Sequence, residues 1–358
     1  MSERMLVSGN EAIGWGAVTA GCRHFFGYPI TPQNEITEWF ARELPKMGGV
    51  FVQAEAECAS VAMLFGAGAT GTRVITTTAS PGWGLMQEGL SHLSGAEVPC
   101  VIVNVQRGGP GGGTTRHAQM DYFSATRGSY GGVKYIVLAP ASIQENCDLV
   151  QLAFHLADKY RTPVIILSDG IMGQMLESLE VRALDFEPLP AKDWAIVGAD
   201  HRGGGKRNVI SAQGLMGPPW FVGFLQRLEE KAQEIEKAEV RYESYQAEDA
   251  QLLLVAYGST ARICEEAVDI GRSDGLKVGL IRPVTLCPFP KAILRQKADQ
   301  GCTFLVVEDS MGQMVEDVQL ALEGRSKVNL LGIWGRHLPT DQGMILPERV
   351  HQEVKGLL

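Results

Sequence analysis

No two of the seven cysteines lie within four residues of one another, so the chain has no Cys-x-x-Cys for zinc or an iron–sulfur cluster. Cys22, Cys58, Cys100, Cys147, Cys264, Cys287 and Cys302 sit mostly in apolar runs, where a reduced thiol packs as a small hydrophobe. Any iron–sulfur chemistry would belong to another chain. Positive charge is also scarce. A net charge of −9 argues against a nucleic-acid or anionic-membrane surface, both of which need clustered Lys and Arg. Long hydrophobic runs are missing too, none approaching the roughly 20 residues that span a bilayer. Met1-Ser2-Glu3-Arg4 leads straight into strand-like Met5-Leu6-Val7, with no apolar leader, so a cytoplasmic protein is expected.

What is present is a hydrophobic content of 45% and 42 glycines over 358 residues, which fits two α/β domains. In the first half, β-branched runs predict strands at 50–53, 73–78, 100–106, 135–139 and 163–168. Helices are predicted at 57–65, 84–92, 118–127 and 142–159. Nearly continuous apolar strands alternating with helices imply a parallel sheet covered on both faces. Such sheets bind ligands beyond the carboxyl ends of their strands. Residues 186–250 break the pattern with Glu187-Pro188-Leu189-Pro190, Gly203-Gly204-Gly205-Lys206-Arg207 and Gly217-Pro218-Pro219-Trp220, and read as a connecting arm. Its charged helix, about 225–239, reads as a solvated face or a subunit contact. Alternation returns over 251–358, with strands at 252–257, 277–282, 303–307 and 328–332 and helices starting near 259, 289 and 313.

The first ligand candidate is Gly27-Tyr28-Pro29-Ile30-Thr31-Pro32-Gln33-Asn34-Glu35, after an apolar run at 17–26 that reads as helix. Its two prolines hold Tyr28 and Thr31 extended, giving a rigid turn of the kind that meets ligands, or else a helix stop. Thr76-Thr77-Thr78-Ala79-Ser80-Pro81-Gly82 and Arg107-Gly108-Gly109-Pro110 leave predicted strands at the same edge. An arginine there can hold a carboxylate bidentately, though an ordinary surface arginine fits as well. Glu57, in Ala54-Glu55-Ala56-Glu57, either complements the start of the next helix or relays a proton. Gly66-Ala67-Gly68-Ala69-Thr70-Gly71 matches the dinucleotide fingerprint but follows a helix and precedes a strand, so helix-ending glycines explain it better. Lys206 lacks the spacing and Ser/Thr of a phosphate loop.

Taken in order, Tyr28-Pro29-Ile30-Thr31-Pro32, Glu57 with Gly66 nine residues on, Thr78–Gly82 and Gln106–Pro110 resemble the α subunit of 2-oxoacid:ferredoxin oxidoreductases. Val255–Arg262, Ile281-Arg282-Pro283 and Gly312-Gln313-Met314 resemble the same subunit's C-terminal domain, and the likeness runs from about Gly9 to about Gly335. It is most like the branched-chain (2-oxoisovalerate) type. The resemblance implies a pyrimidine-type thiamine-diphosphate-binding domain over residues 1–185 and a transketolase C-terminal-like domain over 251–358. Glu57 then corresponds to the glutamate that hydrogen-bonds the aminopyrimidine and promotes the tautomer that removes the thiazolium C2 proton. Thr31 and Arg107 match substrate-contacting positions. Tyr28, Pro29, Ile30, Ser80, Pro81 and Gly82 match the cofactor's border. Ser168-Asp169-Gly170 only partly echoes the family's Mg²⁺ motif, so diphosphate and Mg²⁺ are expected on a β subunit, and no metal ligand is assigned to this chain. Iron–sulfur clusters are expected on a ferredoxin-like subunit, beside a γ subunit, with coenzyme A as acyl acceptor. Alone, the chain is expected to be inactive. The Gly111–His117 loop, unusually rich in glycine and with an added Arg116–His117 pair, departs from the family pattern; it is expected to border the substrate and leaves a larger or acidic oxoacid open. A subunit of a lipoamide-type dehydrogenase, or a non-catalytic scaffold, would share only part of this pattern.

Overall fold

The structure, a computed structural model, describes residues 4–197, 218–333 and 345–358. The glycine clusters at 203–207 and 217 and the end of the resemblance at 335 lie outside the described residues. The first half runs β1 (Arg4–Ser8), α1 (Gly9–Thr19), β2 (His24–Gly27), α2 (Asn34–Glu43), β3 (Val50–Gln53), α3 (Glu57–Ala69), β4 (Val74–Thr78), α4 (Ser80–Leu85) and α5 (Gln87–Gly95). It continues with β5 (Cys100–Gln106), α6 (Tyr122–Thr126), β6 (Ile136–Leu138), α7 (Ile143–Tyr160), β7 (Pro163–Asp169), α8 (Gly170–Gln174) and β8 (Leu176–Glu180). Then come α9 (Pro218–Ala238), β9 (Tyr242–Tyr245), β10 (Leu252–Val255), α10 (Gly258–Ser273), β11 (Val278–Pro283) and β12 (Thr285–Cys287). The chain closes with α11 (Lys291–Asp299), β13 (Thr303–Val307), α12 (Met314–Leu322), β14 (Val328–Leu331) and α13 (Pro347–Leu357).

Two sheets carry the fold. The larger has seven strands in the order β12-β6-β7-β5-β4-β2-β3, parallel except for β12. Every residue of β4, β5 and β7 is buried, as their unbroken apolar runs require in a doubly covered sheet. The smaller has the order β14-β13-β10-β11-β9, with β9 antiparallel. The α/β class and the parallel sheets agree with the expectation. β12 leaves the second half to pair with β6, and one apolar cluster holds Leu64, Trp83 and Ile102 together with Leu253, Tyr257 and Phe304. The two halves therefore share a core.

Several elements differ from expectation. The run at 17–26 is not one helix. Helix α1 stops at Thr19, Gly21 takes φ +80, and His24–Gly27 forms strand β2 between β3 and β4. A short apolar run fits either element, and tertiary pairing decides. Helix 118–127 shrinks to Tyr122–Thr126, because residues 119 and 120 bond to the second half instead. The predicted helix at 84–92 is two helices meeting at Met86. Gly66 and Gly68 lie inside α3, and Gly71 ends it with φ +82. The arm helix α9 is held on one face: Ile235 joins a second apolar cluster, with Phe154 and Tyr160 of the first half, and Lys231 and Arg227 bond Glu97.

Candidate active site

Because β2 is a strand, the proline turn leaves its carboxyl end, as the loops after β4 and β5 leave theirs. Gln33, fully buried, fixes that turn. Its Nε2 donates to the Tyr28 carbonyl at 3.0 Å, while its Oε1 accepts from Thr77 Oγ1 of β4 at 2.6 Å and Thr37 Oγ1 at 3.1 Å. Asn10 of α1 adds a bond from Nδ2 to the Pro32 carbonyl at 2.9 Å. Thr31 and Arg107 meet here. The Arg107 Nη1 donates to the Thr31 carbonyl at 2.8 Å and Nη2 to the Gly112 carbonyl at 3.1 Å. Its Nε is buried with no acceptor among the described residues, so a guanidinium with five N–H donors keeps capacity for an anion.

Glu57 opens α3 and is only 4% exposed. Among the described residues nothing hydrogen-bonds its carboxylate, so its acceptor capacity is open to a ligand. Gly82 makes room for it: a Cβ there would lie 2.2 Å from Glu57 Oε1 and 2.4 Å from Thr78 Oγ1. Glu57 and Gly82 are thus brought together. Tyr28 and Pro29 are exposed, Ile30 is half-buried, and all three share the turn with Thr31. Pro81 stands in the first turn of α4.

Ser80 is spent internally. Its hydroxyl lies 2.5 Å from Asp121 Oδ2, within donating distance of the Arg107 carbonyl at 3.1 Å, and accepts from the Arg107 amide at 3.0 Å. Burial raises the Asp121 carboxyl above its ordinary range, opposed by the bonds from Ser80 and Asn104 and by the nearby Arg107. Asp169 is also occupied. It caps α8 through Ile171 and Met172 and accepts from Ser259 Oγ at 2.7 Å. His117, in the loop expected to border substrate, has its Nε2 3.2 Å from Asp309 Oδ2. Sequence reasoning missed Gln33, Asp121 and Gln119. The first directly follows the Thr31-Pro32 motif, but the others carry no local signal.

Two family models match the chain: "Pyruvate flavodoxin/ferredoxin oxidoreductase, thiamine diP-bdg" over residues 15–244, and "Pyruvate:ferredoxin oxidoreductase core domain II" over residues 250–342. Ketoisovalerate oxidoreductase subunit VorB of Methanothermobacter marburgensis is 47% identical over 334 residues, covering 93% of this chain and 94% of that one. The 2-oxoglutarate synthase subunit KorA of Methanothermobacter thermautotrophicus is 36% identical, covering 92% and 94%. Among solved structures, a 2-oxoglutarate:ferredoxin oxidoreductase from Magnetococcus marinus superposes with a TM-score of 0.86 at 27% identity. It takes in 99% of this chain, which spans 65% of that longer one. A split-gene transketolase, at 13% identity and a TM-score of 0.60, shares the fold. Likeness of this extent, carried by both halves in sequence and in shape, makes the chain a member of the 2-oxoacid:ferredoxin oxidoreductase family.

Proposed function

We propose that this chain is the pyrimidine-side subunit of a complex that oxidatively decarboxylates a branched-chain 2-oxoacid to acyl-coenzyme A and CO₂ while reducing ferredoxin. The observation that carries the reading is Glu57: a buried residue whose carboxylate has no hydrogen-bond partner among the described residues, facing a glycine, on the edge where Thr31 and Arg107 meet. These residues fit the pyrimidine end of thiamine diphosphate, whose ring nitrogen would supply the missing partner. When bound, that cofactor supplies the carbon nucleophile that decarboxylation of a 2-oxoacid requires. Glu57 holds the proton shared with the ring nitrogen. Tyr28, Pro29, Ile30, Ser80, Pro81 and Gly82 shape the cofactor's border. Thr31 faces the oxo group, and the spare Arg107 donors hold the carboxylate.

The branched-chain reading is supported by the higher identity to the ketoisovalerate subunit than to the 2-oxoglutarate subunit. His117 faces the Asp309 carboxylate, its Nε2 3.2 Å from Oδ2, so it gives no support to an acidic substrate. We place 1–185 as the pyrimidine-type domain, 186–250 as the arm and 251–358 as the transketolase C-terminal-like domain, in a cytoplasmic complex. Diphosphate and Mg²⁺ would sit on a β subunit, and the clusters on a ferredoxin-like subunit beside a γ subunit. In the assembled complex, with a viologen acceptor, a panel of 2-oxoacids should give its highest kcat/KM on 2-oxoisovalerate. Glu57→Gln should lower the rate at least about 10²-fold, the scale of a lost proton-transfer group. An unaltered rate removes Glu57 from the mechanism.

A further inference from the structure

Residues of the C-terminal motifs that resemble the family bond to the first half. They reach across to the segment that follows Arg107. Gln119 is fully buried, and its bonds go to the second half. Its amide donates to the Asp309 carbonyl at 2.7 Å, and its Oε1 accepts from the Asp309 amide at 3.0 Å and Thr260 Oγ1 at 2.9 Å. Its Nε2 donates to the Tyr257 carbonyl at 2.8 Å. One step on, Gln313 grips the backbone: Nε2 donates to the Met120 carbonyl at 2.7 Å, and Oε1 accepts from the Phe123 amide at 2.8 Å.

The held segment is the far arm of the loop that carries Arg107. The loop closes at its base, where the Asp121 amide donates to Gln106 Oε1 at 3.1 Å. A rung from the Gly108 amide to the Arg116 carbonyl, at 2.9 Å, closes its middle. The carbonyl that receives Arg107 Nη2 belongs to Gly112, between the two arms of this loop. A glycine-rich loop has little conformational preference of its own, so what anchors its far arm fixes where Gly112 and the guanidinium stand. A small misplacement of such a group is costly to a reaction.

We infer that Gln119 and Gln313 are positioning residues for substrate, through which the second domain fixes the Arg107 loop in its anion-holding geometry. The inference rests on the proposed role of Arg107 toward the oxoacid carboxylate. The clamp predicts a specific kinetic signature. In the assembled complex, Gln119→Leu should raise KM for the 2-oxoacid about tenfold, the scale of one lost hydrogen bond to a charged group. KM for coenzyme A should stay near its wild-type value and kcat within about threefold, since the proton-transfer group is untouched. Hydrogen exchange of the Gly108 amide and of the Thr114 amide, which donates to the Gly108 carbonyl at 2.9 Å, should quicken in the variant while β4 amides keep their rate. Thr260→Val removes a single hydroxyl and should shift the same KM in the same direction by a smaller factor, so it decides the matter if Gln119→Leu does not assemble. A lower Tm with an unchanged oxoacid KM in these variants makes the contact a plain domain interface and overturns the inference. Arg107→Gln separates the two readings. If it leaves the oxoacid KM unchanged, the proposed role of Arg107 fails; if it raises KM while the clamp variants do not, only the clamp fails.

Discussion

Gly82 is the residue whose smallness Glu57 depends on. Any side chain there must displace either the Glu57 carboxylate or Thr78 Oγ1, since both lie under 2.5 Å from the Cβ position. Gly82 sits inside α4, where alanine is otherwise the better helix former, so intrinsic propensity alone favours the substitution. Sterics win, because forcing a methyl group into a packed site costs about 1–3 kcal/mol and moves neighbours. Gly82→Ala should therefore weaken thiamine diphosphate binding to the assembled complex, measured as a higher cofactor concentration for half-maximal activity. An unchanged requirement would show that Glu57 has room to retreat. The pair was only half legible in the sequence. Glu57 and Gly82 each stood in a recognisable motif, yet nothing in the spacing indicated that one leaves space for the other.

At the scale of elements, what could be read was what is local. Strands β4, β5 and β7 announced themselves as apolar runs because both their faces are covered. Strand β2 did not, since four residues ending in glycine fit either period until Phe25 and Phe26 find their partners on β3. That misreading hid the fact that the proline turn leaves a strand's carboxyl end. The truncated helix before Tyr122 has the same origin: the partners of Gln119 lie 138, 141 and 190 residues away. Helix α12 shows the opposite case, a helix start supplied by its own neighbourhood. Glu308, fully buried, accepts from the Gln313, Met314 and Val315 amides at 2.9–3.0 Å and from Ser310 Oγ at 2.7 Å. A carboxylate on the unsatisfied first-turn amides is a charge-assisted cap. Glu308→Gln should destabilise the chain by about 2 kcal/mol, the upper range for loss of a cap. Tm reads this directly, and an unchanged value would mean that the amide replaces the carboxylate in full.

Across the whole molecule, the two halves meet over buried charge as well as over a shared core. Arg282 is 2% exposed and binds Glu145 of α7 through both Nη atoms, at 2.9 and 2.7 Å, while its Nε donates to Glu243 at 3.0 Å. Asp309 is the less satisfied member of this interface. Among the described residues neither of its oxygens has an aligned donor, and the His117 ring nitrogen at 3.2 Å is out of line. Burial and then the nearby Asp169 carboxylate push the Asp309 carboxyl up from 3.8 to about 7. Burial lowers the His117 pKa, with Asp169 acting to raise it and Arg116 to lower it, so the ring does not supply a full counter-charge at neutral pH. The sign follows from linkage. Between the unfolded and folded Asp309 values the folded chain holds the extra proton, so this group's stabilisation is complete below about 4 and is lost as pH rises through about 7. His117 has the opposite sign, its lowered value favouring the folded state as pH rises, so only a variant isolates Asp309. Asp309→Asn removes the titration while keeping the shape. Its Tm should therefore fall less than that of the wild type between pH 5.5 and 8. Parallel Tm curves over that window would mean that Asp309 stays charged at the interface, with its compensation coming from groups other than a bound proton.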